Sequence, residues 1–238
     1  MKKILTLISF FFCAFSYAQE VQIIEHNADY VKEKTVKEFE FIDNDFDLTD
    51  YEKVAVLKGC TVSSGKNTLV KLYKDFKKTS NEFGANAYKI DMVKKNSDTI
   101  HIQISSYYFD EKAFEDNFML YPKNMVYIFG DLDVKNLKAK KVKLNGQKME
   151  LPSFEYISYQ NEVGEYATVS VGGVTGHSVR IQGKEGRLPE YLSLKGFGLA
   201  PSFGYGGGMG ISLSTGRIYD VDMDFGQFLI NILTKKIM

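Results

Sequence analysis

The stretch TLVKLYKDFKKTSNEFG, Thr68–Gly84, decides the fold class predicted for this chain. Its apolar side chains recur at a spacing that places them on one face of a helix, and lysines occupy the other face. Ser64 or Asn67 can cap the start of this helix, and Gly84 stands where a left-handed residue would end it. We expect the apolar face to pack on a β-sheet.

Strand patterns on both sides of this helix supply that sheet. Val54–Leu57 is a short apolar, β-rich run that predicts a buried strand. Ala87–Val93 and Thr99–Phe109 alternate between apolar and polar residues, as expected for a hairpin with one wet face. A strand, a helix and a hairpin predict an α+β unit over residues 51–121, with the charged stretch Asp110–Asn117 as its exit.

From Asn124 onward the sequence consists of short strand patterns separated by turn residues. Asn145-Gly146 between two such runs favours a type I′ hairpin, because both residues tolerate positive φ. With no good helix visible, residues 122–238 predict a mostly antiparallel β-sandwich. Its predicted core contains Tyr127, Val142, Leu144, Ile157, Tyr166, Val169 and Val179.

The predicted fold class is therefore α+β, a small strand-helix-hairpin unit followed by the sandwich. Residues 19–50 are interpreted as an N-terminal extension with a candidate edge strand at Val21–Glu25. The apolar tail Phe225–Leu233 should be buried or docked.

The first eighteen residues indicate export. Lys2 and Lys3 precede the apolar run Ile4–Phe15, and Ser16-Tyr17-Ala18 provides small residues for a signal peptidase. A run of about twelve residues, roughly 18 Å as a helix, is too short to cross a hydrocarbon core of about 30 Å. We expect residues 1–18 to be removed and the mature chain to act in the periplasm, at the outer-membrane surface or outside the cell.

Composition excludes some functions. The 30 basic and 30 acidic residues balance, and a nucleic-acid binder needs clustered excess Lys and Arg. Cys13 would leave with residues 1–18, so Cys60 would have no internal disulfide partner. We interpret Cys60 as a buried small hydrophobe, with an intermolecular bridge or a reactive thiol as alternatives. His26, His101 and His177 have no carboxylate or thiol at ligand spacing and are interpreted as surface residues.

One short region resembles a known family. Val142-Lys-Leu-Asn-Gly146, followed by Val163-Gly-Glu-Tyr-Ala-Thr-Val-Ser170, resembles the pattern of PEGA-like domains of bacterial envelope proteins. Val163 stands where that family usually has Pro. The resemblance implies a noncatalytic binding or scaffolding module and supplies no site residues. The Ser-Tyr-Ala-Gln junction at residues 16–19 is similar to signal peptides of secreted Bacteroidota proteins.

Two patterns that suggest phosphate or acyl chemistry fail on spacing or context. In Gly59–Thr68, Gly59 lies one residue too far from Gly65 for a phosphate-binding loop, and Asn67 replaces the magnesium-binding hydroxyl. Ala200–Gly204 resembles a nucleophile elbow around Ser202, but glycines follow it where a helix should begin.

Two aspartate repeats have the alternate spacing of calcium loops, Asp43–Asp47 and Asp220–Asp224. Neither has the Gly or the closing Glu that such a loop needs. The second repeat reads more simply as a strand with Val221 and Met223 inside, and weak calcium binding stays open.

The uncharged, glycine-rich segment Gly196–Gly216 is interpreted as a loop or hairpin, with a partner contact or membrane association as alternatives. No catalytic, cofactor-binding or metal-binding residue is assigned. The leading hypothesis is a noncatalytic exported envelope or secreted protein that binds a protein, a glycan or an envelope component. The alternatives are a secreted hydrolase whose carboxylates come from distant positions, and a peripheral membrane protein that attaches through Gly196–Gly216.

Overall fold

The computed structural model describes residues 21–30, 36–62, 68–97, 99–132, 138–172, 176–195 and 217–237. The predicted signal peptide, the helix-capping residues Ser64 and Asn67, and the segment Gly196–Gly216 with Ser202 lie outside these residues. In chain order the elements are β1 (Gln22–His26), β2 (Glu40–Phe41), β3 (Lys53–Val62), α1 (Thr68–Glu82), β4 (Ala87–Lys95), β5 (Thr99–Tyr107), α2 (Glu111–Leu120), β6 (Met125–Phe129), β7 (Lys140–Leu144), β8 (Gln147–Leu151), β9 (Glu155–Gln160), β10 (Tyr166–Val171), β11 (His177–Gln182), β12 (Glu190–Ser193), β13 (Tyr219–Asp220), α3 (Met223–Ile232) and β14 (Thr234–Lys235).

The first sheet has the strand order β1-β3-β5-β4-β2 and carries α1 on one face. Gly59 in the middle of β3 lets the helix approach, because a Cβ there would lie 2.3 Å from Cδ1 of Leu72. The predicted helix and hairpin are confirmed, and Gly84 ends α1 with a φ of 88°. The stretch Asp110–Asn117 is not a plain exit: Asp110 caps α2 by accepting a hydrogen bond from the backbone N of Ala113 at 2.8 Å.

Two further sheets face each other and form the predicted sandwich. The second sheet has the order β13-β12-β6-β9-β14 and mixes parallel with antiparallel pairs, whereas the third sheet, β11-β10-β7-β8, is antiparallel throughout. Their apolar faces meet in one buried cluster of residues from both sheets. Asn145 and Gly146 have φ values of 50° and 84°, which confirms the tight hairpin between β7 and β8.

The α3 helix corrects the interpretation of residues 220–224 as a strand. Only Tyr219–Asp220 is extended, and Asp222 is the N-cap of the helix that follows. The apolar residues of this helix recur at helical spacing, but the alternating aspartates before them suggested the period of a strand. The tail is buried as expected, because Phe225 and Phe228 of α3 lie against the ring of Tyr73 in α1, with centroids 5.1 and 5.2 Å apart.

The same helix packs against the second sheet, so the largest apolar cluster draws on both halves of the chain. Tyr127 and Tyr191 belong to this cluster and stack with a centroid separation of 5.2 Å. Tyr127 is therefore buried, but on the side of the second sheet opposite the sandwich core where it was predicted. Tyr166 is 47% exposed and lies outside the core altogether.

Candidate functional site

The outward face of the third sheet carries several lysines. Val142 and Leu144 of β7 point into the sandwich, so Lys141 and Lys143 point outward. The same alternation in β8 turns Lys148 outward and Leu151 inward. We call this outward surface, formed by β7, β8, β10 and β11, the lysine face.

Strand register places two of these lysines opposite each other. Lys143 pairs with Lys148 across the hairpin and with Ser170 on its other side. Like charges in directly opposed positions destabilise a sheet. Lys141, by contrast, lies opposite Glu150. The Lys143–Lys148 pair is thus a local cost to stability that an anionic ligand would remove.

A groove of about 480 Å³ lies over this face. Its lining combines three lysines with one carboxylate, one hydroxyl group and apolar residues, namely Lys141, Val142, Lys143, Lys148, Met149, Glu150, Ser170 and Gly172.

The lysine face continues onto β10 and β11. Thr168 is opposite Arg180, and the guanidinium carbon of Arg180 lies 4.5 Å from the ring centroid of the exposed Tyr166. An aromatic ring and a guanidinium group are therefore held together beside the groove. The sequence signal for this surface is the alternation of Lys141 and Lys143 with apolar residues before Asn145-Gly146, followed by the single Lys148 after it.

A second notable group is the pair of carboxyl groups of Glu40 in β2 and Asp224 in α3. Burial and the neighbouring Asp224 carboxyl raise the pKa of Glu40 to about 9. Burial also raises the pKa of Asp224, against the opposing effects of Glu40 and of Lys77, whose Nζ lies 3.9 Å from Oδ2. Burial and the repulsion between two neighbouring carboxylates both favour the protonated form of Glu40.

This carboxyl pair is part of the packing between the two halves of the chain. The hydroxyl of Tyr88 donates to the backbone oxygen of Asp224 at 3.3 Å, and Oε2 of Glu40 is buried without a hydrogen-bond partner. Glu40 and Asp224 line none of the three cavities described in this structure.

Cys60 and His101 also come together, which the sequence spacing did not reveal. They are opposed residues of β3 and β5, and Sγ of Cys60 lies 3.8 Å from Nε2 of His101. Cys60 is a half-buried free thiol and not the buried hydrophobe that was predicted. Cys60 and His101 are 41 residues apart in the chain, so neither lies at ligand spacing from the other in sequence, and strand pairing alone makes them adjacent.

The other residues considered from the sequence have local structural roles. Gly59 lies inside β3 and so belongs to no phosphate loop. Asp43 accepts from the backbone N of Asp45 at 3.0 Å and Asp47 from that of Thr49 at 2.9 Å, so both carboxylates cap turns. His26 lies against Phe83, and Nδ1 of His177 accepts from the backbone N of Ile218 at 3.2 Å.

Within the described ranges, no three or more His, Cys, Asp or Glu side chains cluster as metal ligands would. In the same residues no helix combines the length and the apolar character needed to cross a bilayer.

Comparison of the chain with protein-family models, with curated proteins and with solved structures found no match. The resemblance of residues 142–170 to PEGA-like domains therefore stays a prediction. Those residues span β7, β8, β9 and part of β10, and the lysine face shares three of these strands.

Proposed function

We propose that this protein is a noncatalytic, exported binding module that holds an acidic polysaccharide of the cell envelope on its lysine face. The observation that carries the proposal is the opposition of Lys143 and Lys148, which both line an open groove. The export part of the proposal rests on residues 1–18, and fractionation of expressing cells tests it directly.

Charge supports an anionic ligand. Each ammonium group is a mobile point charge, which suits carboxylate or sulfate groups spaced along a flexible polymer better than one fixed bidentate partner. The chain as a whole has no charge excess, so attraction of an anion would be local to this face.

The composition of the groove favours a glycan over a protein partner. Protein interfaces are depleted of lysine at their centre and enriched in buried aromatic anchors. Here the groove is lined by lysines and the hydroxyl of Ser170, while the exposed aromatic ring of Tyr166 is not part of its lining. Sugar hydroxyl groups can exchange hydrogen bonds with such a surface, and a ring face can pack on tyrosine.

Binding of the full chain to polygalacturonate and to neutral dextran tests this proposal. We expect affinity for the acidic polymer alone, with at least a tenfold loss on replacing both Lys143 and Lys148 by Gln. Lys71→Gln with Lys74→Gln on the exposed face of α1 is the matched control, because it removes the same charge elsewhere. Equal loss in both double variants, or equal binding to dextran, would contradict a specific site.

Two further assays of the full chain separate the alternatives. Release of reducing ends from the polysaccharide, lost in Glu40→Gln, would favour the hydrolase. Flotation of the full chain with anionic lipid vesicles would favour the peripheral membrane protein, whose proposed contact, Gly196–Gly216, lies outside the described residues.

A further inference from the structure

The face of the first sheet opposite α1 carries a second chemical group that is separate from the lysine face. On β3, Gly59 and Leu57 point toward α1, so Lys58, Cys60 and Val62 point the other way. Val62 is 43% exposed and Cys60 is half-buried. A small reagent can therefore reach the Cys60 thiol from this side.

Strand pairing builds a row across this open face. His101 of β5 lies between Cys60 of β3 and Lys94 of β4 in register. Nε2 of His101 is 3.8 Å from Sγ of Cys60 and 3.4 Å from Oγ1 of Thr99. With the ring proton on Nδ1, Nε2 can accept the thiol proton, so the pair has the arrangement of a nucleophile beside a base.

We propose that Cys60 and His101 form a thiol-exchange site that accepts small disulfides. The Cys60 thiol gives its proton to Nε2 of His101, and the thiolate attacks one sulfur of the disulfide. A new disulfide forms between Cys60 and that half, and the other half leaves as a thiolate that recovers the proton from His101. One disulfide bond breaks and one forms, so the exchange needs no further oxidant.

The neighbours of the pair suit a charged disulfide. Lys58 and Lys94 flank Cys60 and His101 on the same face. The carboxylate of Asp91 on this sheet accepts a hydrogen bond from Oγ of Ser105 at 2.8 Å. Cationic side chains on both sides of the thiol would attract a disulfide that bears carboxylates, and oxidised glutathione is such a compound.

Reaction with oxidised glutathione at pH 7 tests the proposal in the full chain carrying Cys13→Ser, in which Cys60 is the one remaining cysteine. The mass of one glutathione should appear and be removed by a reducing agent. We expect His101→Gln to slow the second-order rate at least about fivefold, by loss of the proton acceptor. His26→Gln, which changes an exposed strand residue of the same sheet, should leave the rate unchanged.

The unfolded chain provides the reference rate. In urea the parent and His101→Gln should react equally, because the strand pairing that joins the two residues is gone. A folded rate in the parent equal to that of His101→Gln, with both variants shown to be folded by their thermal transitions, would overturn the proposal. So would a folded parent that reacts no faster than the parent in urea.

Discussion

Gly226 of α3 lies directly on the ring of Tyr191 in β12. A Cβ built at Gly226 would be 2.4 Å from Cγ of that ring, which is closer than real Cβ contacts come. Helix and sheet can approach this closely only because position 226 has no side chain. The contact joins the C-terminal helix to the sandwich, and Phe225 and Phe228 on the same helix reach the first half of the chain.

Gly226→Ala should therefore destabilise the protein by about 1–3 kcal/mol, the usual range for overpacking a tight core. In a Tyr191→Ala background the same substitution should instead stabilise the protein, since alanine is favoured over glycine in a helix by about 1 kcal/mol. Urea denaturation of the two single variants and the double variant measures this coupling. Additive effects would show that the ring is not what requires glycine.

Tyr191→Phe should stabilise the fold. The hydroxyl of Tyr191 is buried without a hydrogen-bond partner, and burial raises the pKa of this phenol well above its usual value. Removing an unpaired buried hydroxyl should stabilise the protein by about 1 kcal/mol. Tyr121→Phe is the matched control of opposite sign, because the Tyr121 hydroxyl donates to the backbone oxygen of Phe41. Thermal denaturation of both variants distinguishes them, and destabilisation by Tyr191→Phe would contradict the assignment.

Because of the Glu40–Asp224 pair, we expect the free energy of unfolding to fall as pH rises. The pKa of Glu40 is about 9 in the fold against an ordinary value of 4.5, so between these values the folded chain holds a proton that the unfolded chain releases. The favourable contribution of protonated Glu40 is complete below about pH 4.5 and disappears as pH rises through about 9.

Glu40→Gln should remove that dependence. At pH 8 we expect this variant to be more stable than the parent by at least about 1 kcal/mol, or about 2–4 °C in Tm, with a smaller difference at pH 4.5. Glu38→Gln is the control, because backbone hydrogen bonds lower the pKa of Glu38 and neutralising it should give no gain at high pH. Parallel Tm profiles of the parent and Glu40→Gln would count against a protonated Glu40 in the fold.

Lys148→Glu should improve stability and weaken ligand binding together. It replaces a like-charge pair with an opposite-charge pair facing Lys143, a change of about 0.2–1 kcal/mol in a sheet. The same change adds a negative charge to the groove and should reduce affinity for polygalacturonate, most strongly at low salt. Urea denaturation measures the change in stability, and a binding titration at two salt concentrations measures the change in affinity. Retained binding in a stabilised variant would exclude the groove as the ligand site.

Local patterns predicted the regular elements well, because the information for them lies within a few residues. The helical face of residues 68–82 and the turn at Asn145-Gly146 both depend on neighbours along the chain. The α3 helix was missed because the alternation of Asp220, Asp222 and Asp224 imitates a strand across the point where one ends and the helix begins. The tail was nevertheless predicted to be buried, because apolar content does not depend on the type of element.

The amino-acid sequence by itself determined that this chain makes an α+β fold, with a helix on one sheet and a hairpin-rich sandwich after it. Tertiary structure alone decided which distant side chains meet: Lys143 beside Ser170, Glu40 beside Asp224, and Cys60 beside His101. The reason is that periodicity fixes the face on which a side chain lies, whereas its neighbour depends on strand order and register across the whole chain.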